Sequence, residues 1–274
     1  MPTATENTRP DSSPTWSANN SIVFSSPKMT KPSLPPLVVI SLIESQDRRD
    51  YISEQLDKSS IPFRFFDAER LKEYPPAYDA RARLSMHGNH MNLSEVGCYD
   101  SHYRIWEQLA ASDDDIWCVL EDDVELADNF ADRLAAAMQA PLAFGVMRLC
   151  DFGGDGSWVV GTLPDGSILK DHRKQPFGTQ GYLIHRSAAV TLLEYAKRIL
   201  YPVDDLLNRS WEHRIKMISL SPGTLIHRND LLGTTIGRAR AKRTLSQKLK
   251  REFYMGRDSL SSHVDAWRRR ILKR

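Results

Sequence analysis

An α/β fold is predicted by three observations: short apolar runs that stop abruptly, helical stretches between them, and an acidic triplet that closes one of the runs. Residues 1 to 34 are rich in Ser, Thr, Pro and Asn without apolar periodicity and read as a disordered leader. Leu37 to Leu42 is a buried first strand. Asp47 to Lys58 follows as a helix with Tyr51, Ile52 and Leu56 on one face, and Phe63 to Phe66 is a second strand, giving a βαβ opening. Glu73 to Asn92 holds Pro75-Pro76 and His87-Gly88-Asn89-His90 and reads as a mobile loop beside a cleft. Ser94 is the expected N-cap of a helix running through His102 and Trp106 to about Ala111. Ile116 to Leu120 is a strand, Phe130 to Met138 an alanine-rich helix, and Gly145 to Leu149 a strand ending at Cys150-Asp151. Gly153-Gly154-Asp155-Gly156 is a turn that lets backbone approach a ligand. Gly181 to His185 is strand-like, Ser187 caps a helix of Ala188 to Leu200, and Tyr201-Pro202-Val203-Asp204-Asp205 is a break carrying two acids. No internal repeat is visible.

Composition narrows the function classes. A chain of 274 residues with 41% hydrophobic content can bury a sizeable core. Cys98, Cys118 and Cys150 are odd in number and have no CxxC spacing, which argues against a disulfide framework and a zinc knuckle and suits a reducing cytoplasm. No secretion signal is expected at the N-terminus, and no run approaches the roughly 18 apolar residues that span a bilayer.

The net charge of +2 hides a division: residues 238 to 274 hold 13 Lys/Arg against 3 Asp/Glu, and the remainder 24 against 32. We therefore expect a main domain over 35 to 237 and a basic helical tail over 238 to 274. Leu245, Leu249 and Phe253, then Leu260, Val264, Trp267 and Ile271, fall on apolar faces, so the tail resembles a membrane-surface segment attracted to anionic headgroups. An ordinary solvated terminal helix is the competing reading. Nucleic acid is not expected, because no stacking platform or binding motif accompanies the charge. The expected location is the cytoplasm, at the inner face of the membrane.

Glu121-Asp122-Asp123 follows the apolar run Ile116 to Leu120, so the acids emerge where α/β sheets place ligands. Crowded carboxylates repel, and a hard divalent cation between them relieves that repulsion. The bland alternative is a solvated turn whose acids favour the next helix N-terminus.

Several blocks together resemble glycosyltransferase family 25, the lipopolysaccharide-type enzymes that include collagen galactosyltransferases. They are Val39 to Leu42 with Arg48, Phe66-Asp67-Ala68, Leu93 to His102, Trp106, Val119 to Val124, Gly178 to Ile184 and Pro202-Val203-Asp204. One departure is visible: Ser41 stands where the family usually has Asn, which bears on a hydrogen bond near the nucleotide and not on the fold. The resemblance implies a GT-A type fold with a mixed, mainly parallel sheet flanked by helices. It also implies a UDP-sugar donor (galactose first, glucose second), Mn²⁺ or Mg²⁺, inversion at the anomeric carbon, and a glycan or lipid-linked acceptor such as lipopolysaccharide.

On that resemblance the metal falls to Asp123 with Glu121 or Asp122 assisting, and to His227, for which a packed imidazole is the alternative. Asp204 is the expected general base, with Asp205 and Asp151 in reserve and an N-cap role as its alternative. Ser41, Leu42, Arg48, Ser101, His102 and Asp122 line the donor site, and Tyr182 stacks on a sugar ring unless it is a core tyrosine. Glu95 serves only as a first-turn acid. Two rivals stand beside the glycosyltransferase: a metal-dependent nucleotidyltransferase and a catalytically silent glycan or membrane adaptor.

Overall fold

A computed structural model describes residues 34–151, 156–227 and 244–272. The expected leader, Gly153 to Asp155 of the glycine-rich turn, and the first residues of the expected tail lie outside these. The strands are β1 (Leu37–Leu42), β2 (Phe63–Ala68), β3 (Ile116–Glu121), β4 (Val124–Leu126), β5 (Val146–Arg148), β6 (Ser157–Thr162), β7 (Ile168–His172), β8 (Gly181–His185), β9 (Met217–Ser221) and β10 (Leu225–His227). The helices are α1 (Gln46–Lys58), α2 (Ala80–His87), α3 (Leu93–Ala111), α4 (Phe130–Ala137), α5 (Arg186–Tyr195), α6 (Val203–Leu207), α7 (Ser210–His213) and α8 (Leu245–Leu272).

Eight strands form one sheet in the order β2-β1-β3-β8-β5-β9-β7-β6, with β10 and β4 paired separately. β1 pairs in parallel with β2 and β3, and β5 with β9, while β8 runs antiparallel to both its neighbours and β7 to both of its own. Only β7 and β8 are therefore reversed, so the sheet is mixed and mainly parallel, the α/β architecture expected of a GT-A type domain.

Alternation explains why β1 and β3 read as unbroken apolar runs. Val38 and Val119 enter the core beneath α3 and α5, where Tyr99, Trp106 and Tyr182 are buried. Val39, Cys118 and Leu120 point to the other face, against Ile52 and Leu56 of α1 and Leu134 of α4. A strand covered on both faces has no polar side, and each such side chain removed from water contributes about 1.5–3 kcal/mol.

Three expectations need correction. The N-cap of α3 is Asn92, not Ser94: its side chain accepts from the Glu95 amide at 2.7 Å while Glu95 accepts from the Asn92 amide at 2.8 Å. This reciprocal capping box confirms Glu95 in its first-turn role. The stretch 73 to 92 contains α2 rather than loop alone, because Asp79 caps it, Gly88 ends it in the left-handed conformation, and Arg83 and His87 are buried. Helix α5 begins at Arg186 with His185, not Ser187, at its N-cap, and ends at Tyr195, short of Leu200, where Tyr99 Oη donates to the Ala196 carbonyl just beyond it.

Candidate functional site

Because β1 and β3 are parallel, with Ile40 opposite Glu121, the C-terminal ends of both strands open at the same edge of the sheet. A cleft of about 860 Å³ lies there. Ser41 and Leu42 from β1, Arg48 from α1, Ser101 and His102 from α3, Glu121, Asp122 and Asp123, and Asp204 and Asp205 from α6 all line it. The structure thus gathers most of the expected site residues into one concavity.

The three acids after β3 are not equivalent. Asp122 is held on both oxygens: Ser41 Oγ donates to Oδ2 at 2.6 Å and Arg48 Nη1 to Oδ1 at 3.1 Å. Ser41, the family departure, thus has a definite partner. Arg48 also lies 3.7 Å from Asp123 Oδ2. The Asp123 carboxyl is pushed up to about 7 by burial, with Glu121 and then Asp122 adding to the rise and Arg48 opposing it. Glu121 accepts from the Thr179 hydroxyl, and its backbone amide donates to the Gln180 carbonyl at 2.9 Å.

A second layer braces Glu121. Tyr182 Oη accepts from Trp106 Nε1 at 3.1 Å and lies 2.8 Å from His102 Nδ1. The other ring nitrogen of His102, Nε2, sits 3.6 Å from Glu121 Oε1. Ligating atoms of Cys98, His102 and Glu121 come within 4.8 Å of one another. Burial, followed by Glu121, pushes the Cys98 thiol well above its ordinary value. Tyr182 requires correction as a ligand contact: it is 1% exposed and does not line the cleft, so it supports His102 instead of stacking on a sugar.

Across the cleft, Asp204 and Asp205 occupy the first turn of α6, whose N-cap is Pro202. Asp204 is therefore not the cap, and its Oδ1 accepts from the Asp205 amide at 2.8 Å. Burial and then Asp204 push Asp205 up to about 6, against the pull of Arg83 and Arg209. The reserve base Asp151 is misplaced for that role: it accepts from Ser221 and pairs with Lys170 at 3.4 Å, outside the cleft lining. His227 lies in β10 with its backbone opposite Val124, one residue beyond Asp123.

Sequence reasoning missed Thr179, Cys98 and Arg148. Arg148 is 3% exposed and ties the loop before β8 to α6, donating to the Gly178 carbonyl and, at 2.7 Å, to Asn208 Oδ1. Gly178 has φ +102°, and a Cβ there would meet the Gln180 side chain. The Gly-Thr-Gln-Gly block signalled these contacts, but only the fold shows what they touch.

The donor set suits a hard divalent cation. Glu121 and Asp123 bring oxygen ligands to a place where mutual repulsion already raises a carboxyl, and Asp122 is fixed beside them by Ser41 and Arg48.

Comparison with known proteins agrees with this geometry. Residues 34–153 match the family described as "Glycosyltransferase family 25 (LPS biosynthesis protein)". A "Glycosyltransferase 25 family member" of Aedes aegypti is 27% identical over 203 residues, covering 66% of this chain and 33% of that protein. "Procollagen galactosyltransferase 1-B" of Xenopus laevis is 30% identical over 112 residues, covering 38% of this chain and 18% of the other. A solved glycosyltransferase involved in glycosylation of the PBCV-1 major capsid aligns over 81% of this chain and 100% of its own with a TM-score of 0.35 and 13% identity, too loose a likeness to argue from. The chain spans about a third of the length of the curated relatives first matched. The family match runs from the residues before β1 through the acidic end of β3 to residue 153, so this part of the chain carries the likeness to glycosyltransferase family 25.

Proposed function

We propose that this protein is an inverting, metal-dependent glycosyltransferase that moves a hexose, galactose first, from a UDP-sugar to a glycan or lipid-linked acceptor such as lipopolysaccharide, at an anionic membrane surface. The observation that carries this reading is the meeting of two acid groups in one cleft, Glu121 to Asp123 from β3 and Asp204 with Asp205 from α6. Galactose is favoured by the name of the Xenopus relative, a procollagen galactosyltransferase, and the lipid-linked acceptor by the family's link to LPS biosynthesis.

In this reading Glu121 and Asp123 would hold Mn²⁺ or Mg²⁺; the expected further ligand, the His227 side chain, lies outside what the structure describes. The ion's contribution is to offset negative charge on the departing diphosphate. Ser41, Leu42, Ser101 and His102 shape the donor side of the cleft, and Arg48 keeps Asp122 oriented while presenting positive charge to phosphate. Inversion in one displacement needs a base opposite the leaving group, and Asp204 takes the acceptor hydroxyl proton at that position. Asp205 follows it in the same helical turn, its carboxyl pushed up to about 6 by burial and by Asp204.

A panel of nucleotide sugars, each tested by thermal shift with and without Mn²⁺, checks the donor: UDP-galactose is expected to raise the unfolding temperature only with the ion. Slow donor hydrolysis releasing UDP is expected with it. Pyrophosphate release from a nucleoside triphosphate would favour the nucleotidyltransferase, and no metal-dependent turnover of any donor would favour the silent adaptor.

A further inference from the structure

The tail helix α8 carries its apolar stripe on the side away from the protein. Leu245, Leu249 and Phe253 are all exposed, and so are Leu260, Val264, Trp267 and Ile271, with Phe253 at 70% and Trp267 at 64%. Their spacing of four, four, seven, four, three and four residues confines them to an arc of about 100° on a helix. A helix of a soluble domain turns such a face inward; α8 does the reverse.

Its inward face is polar and fastened. Asp258 accepts from Arg209 Nη1 at 2.7 Å, Asp265 accepts from Ser210 Oγ at 2.8 Å, and Arg269 Nη1 donates to Asp171 at 3.2 Å. Two of the three acids of α8 are thus used against the body, leaving Glu252 exposed. The exposed cations Lys248, Lys250, Arg257, Arg268 and Arg270 flank the stripe. No described helix is long and apolar enough to cross a membrane.

We infer that the outward face of α8 is a docking surface for an anionic lipid bilayer, on which the helix lies flat with its stripe among the acyl chains and its cations among the headgroups. Charge complementarity selects this occupant over a second copy of the chain, which would bring basic flanks against basic flanks. The inward side of the same helix walls a second cavity of about 500 Å³ with Arg251, Met255, Ser262 and His263. That cavity shares Glu95, Phe177, Pro202 and Asp205 with the main cleft. Docking would therefore hold a route to the acid pair close to the headgroups, where a lipid-linked saccharide is presented. This consequence for the acceptor rests on the glycosyltransferase reading; the docking surface does not.

The test is co-sedimentation of the full chain with vesicles of phosphatidylglycerol and phosphatidylethanolamine in a ratio of roughly 1:3, and with phosphatidylcholine alone. Binding to the anionic vesicles is expected to be at least about 10-fold tighter, to weaken with added salt, and to fall about 10-fold or more in Leu249→Asp/Trp267→Asp. The charge variant Lys250→Glu/Arg268→Glu is expected to lose the anionic preference. Metal-dependent hydrolysis of UDP-galactose by the variants, which are remote from the cleft, is expected to match the parent. Equal binding to both vesicle types, or binding indifferent to both variants, would overturn the inference. So would a lipid-free dimer, seen by sedimentation velocity, that the Leu249→Asp/Trp267→Asp variant dissolves. If vesicle binding behaves as expected while no donor is hydrolysed by any form, the docking surface stands and the glycosyltransferase reading fails.

Discussion

The two acid groups that face each other across the cleft are supported in opposite ways. At the end of β3, Asp122 is gripped by Ser41 and Arg48, and Glu121 by Thr179 with His102 nearby, so the carboxylates are oriented by donors on three separate elements. On α6, Asp204 accepts from a neighbouring backbone amide and Asp205 has its carboxyl pushed up to about 6 by burial and by Asp204. Burial raises a carboxyl in both groups, Asp123 to about 7 and Asp205 to about 6, so the bracing is what separates them: a crowded set oriented by donors suits an ion, and a pair on one helical turn facing it suits proton transfer.

The largest effect expected from this contrast is at Asp123. Asp123→Asn keeps the size and removes the charge, and sugar transfer is expected to fall about 10³-fold or more, with the melting temperature preserved. Steady-state UDP release across a Mn²⁺ titration checks it, and partial recovery at high ion concentration would place the loss in metal affinity. Asp204→Asn is expected to lower kcat about 10²–10³-fold while leaving UDP binding unchanged. Equal loss of UDP affinity in both variants would erase the distinction between the two groups.

A pH profile sharpens the same comparison. Since Asp205 is protonated below about 6, turnover is expected to decline as pH falls through that value. Asp205→Asn fixes the neutral form at every pH, so turnover is expected to stay at the reduced low-pH level and the limb near about 6 to disappear. An unmoved limb would assign the titration to another group. The smallest expected effect is at the support behind Glu121. Tyr182→Phe removes the oxygen shared by His102 and Trp106, leaving buried polar nitrogens without that partner at a cost of about 1–3 kcal/mol in stability. Chemical denaturation reads that loss, and the parent kcat should be nearly kept because Tyr182 does not reach the cleft.

The first half of the sheet was legible because burial on both faces writes unbroken apolar runs, as in Leu37 to Leu42 and Ile116 to Leu120, and because the acids follow such a run directly. The distal half was not. β6 is an edge strand alternating exposed and half-buried residues, and β9 mixes Ser with apolar residues, so neither carries a strong period. Glu73 to Asn92 looked like loop because its prolines, glycine and histidines mark turns, yet Tyr78, Arg83 and His87 are buried around α2. At the site, acid identity was readable but partnership was not: Ser41 and Asp122 are 81 positions apart, and Tyr182 and His102 80 apart. The tail's apolar spacing was readable too, but only the anchoring of Asp258 and Asp265 shows that the stripe faces outward.

In the proposed function Glu121 and Asp123 hold a cation against the diphosphate of the donor. Calorimetric titration of UDP into the protein with Mn²⁺, and again with the ion chelated, tests it most directly. Binding is expected only with Mn²⁺ and is expected to vanish in Asp123→Asn; equal UDP affinity with the ion chelated, or in that variant, would contradict the account.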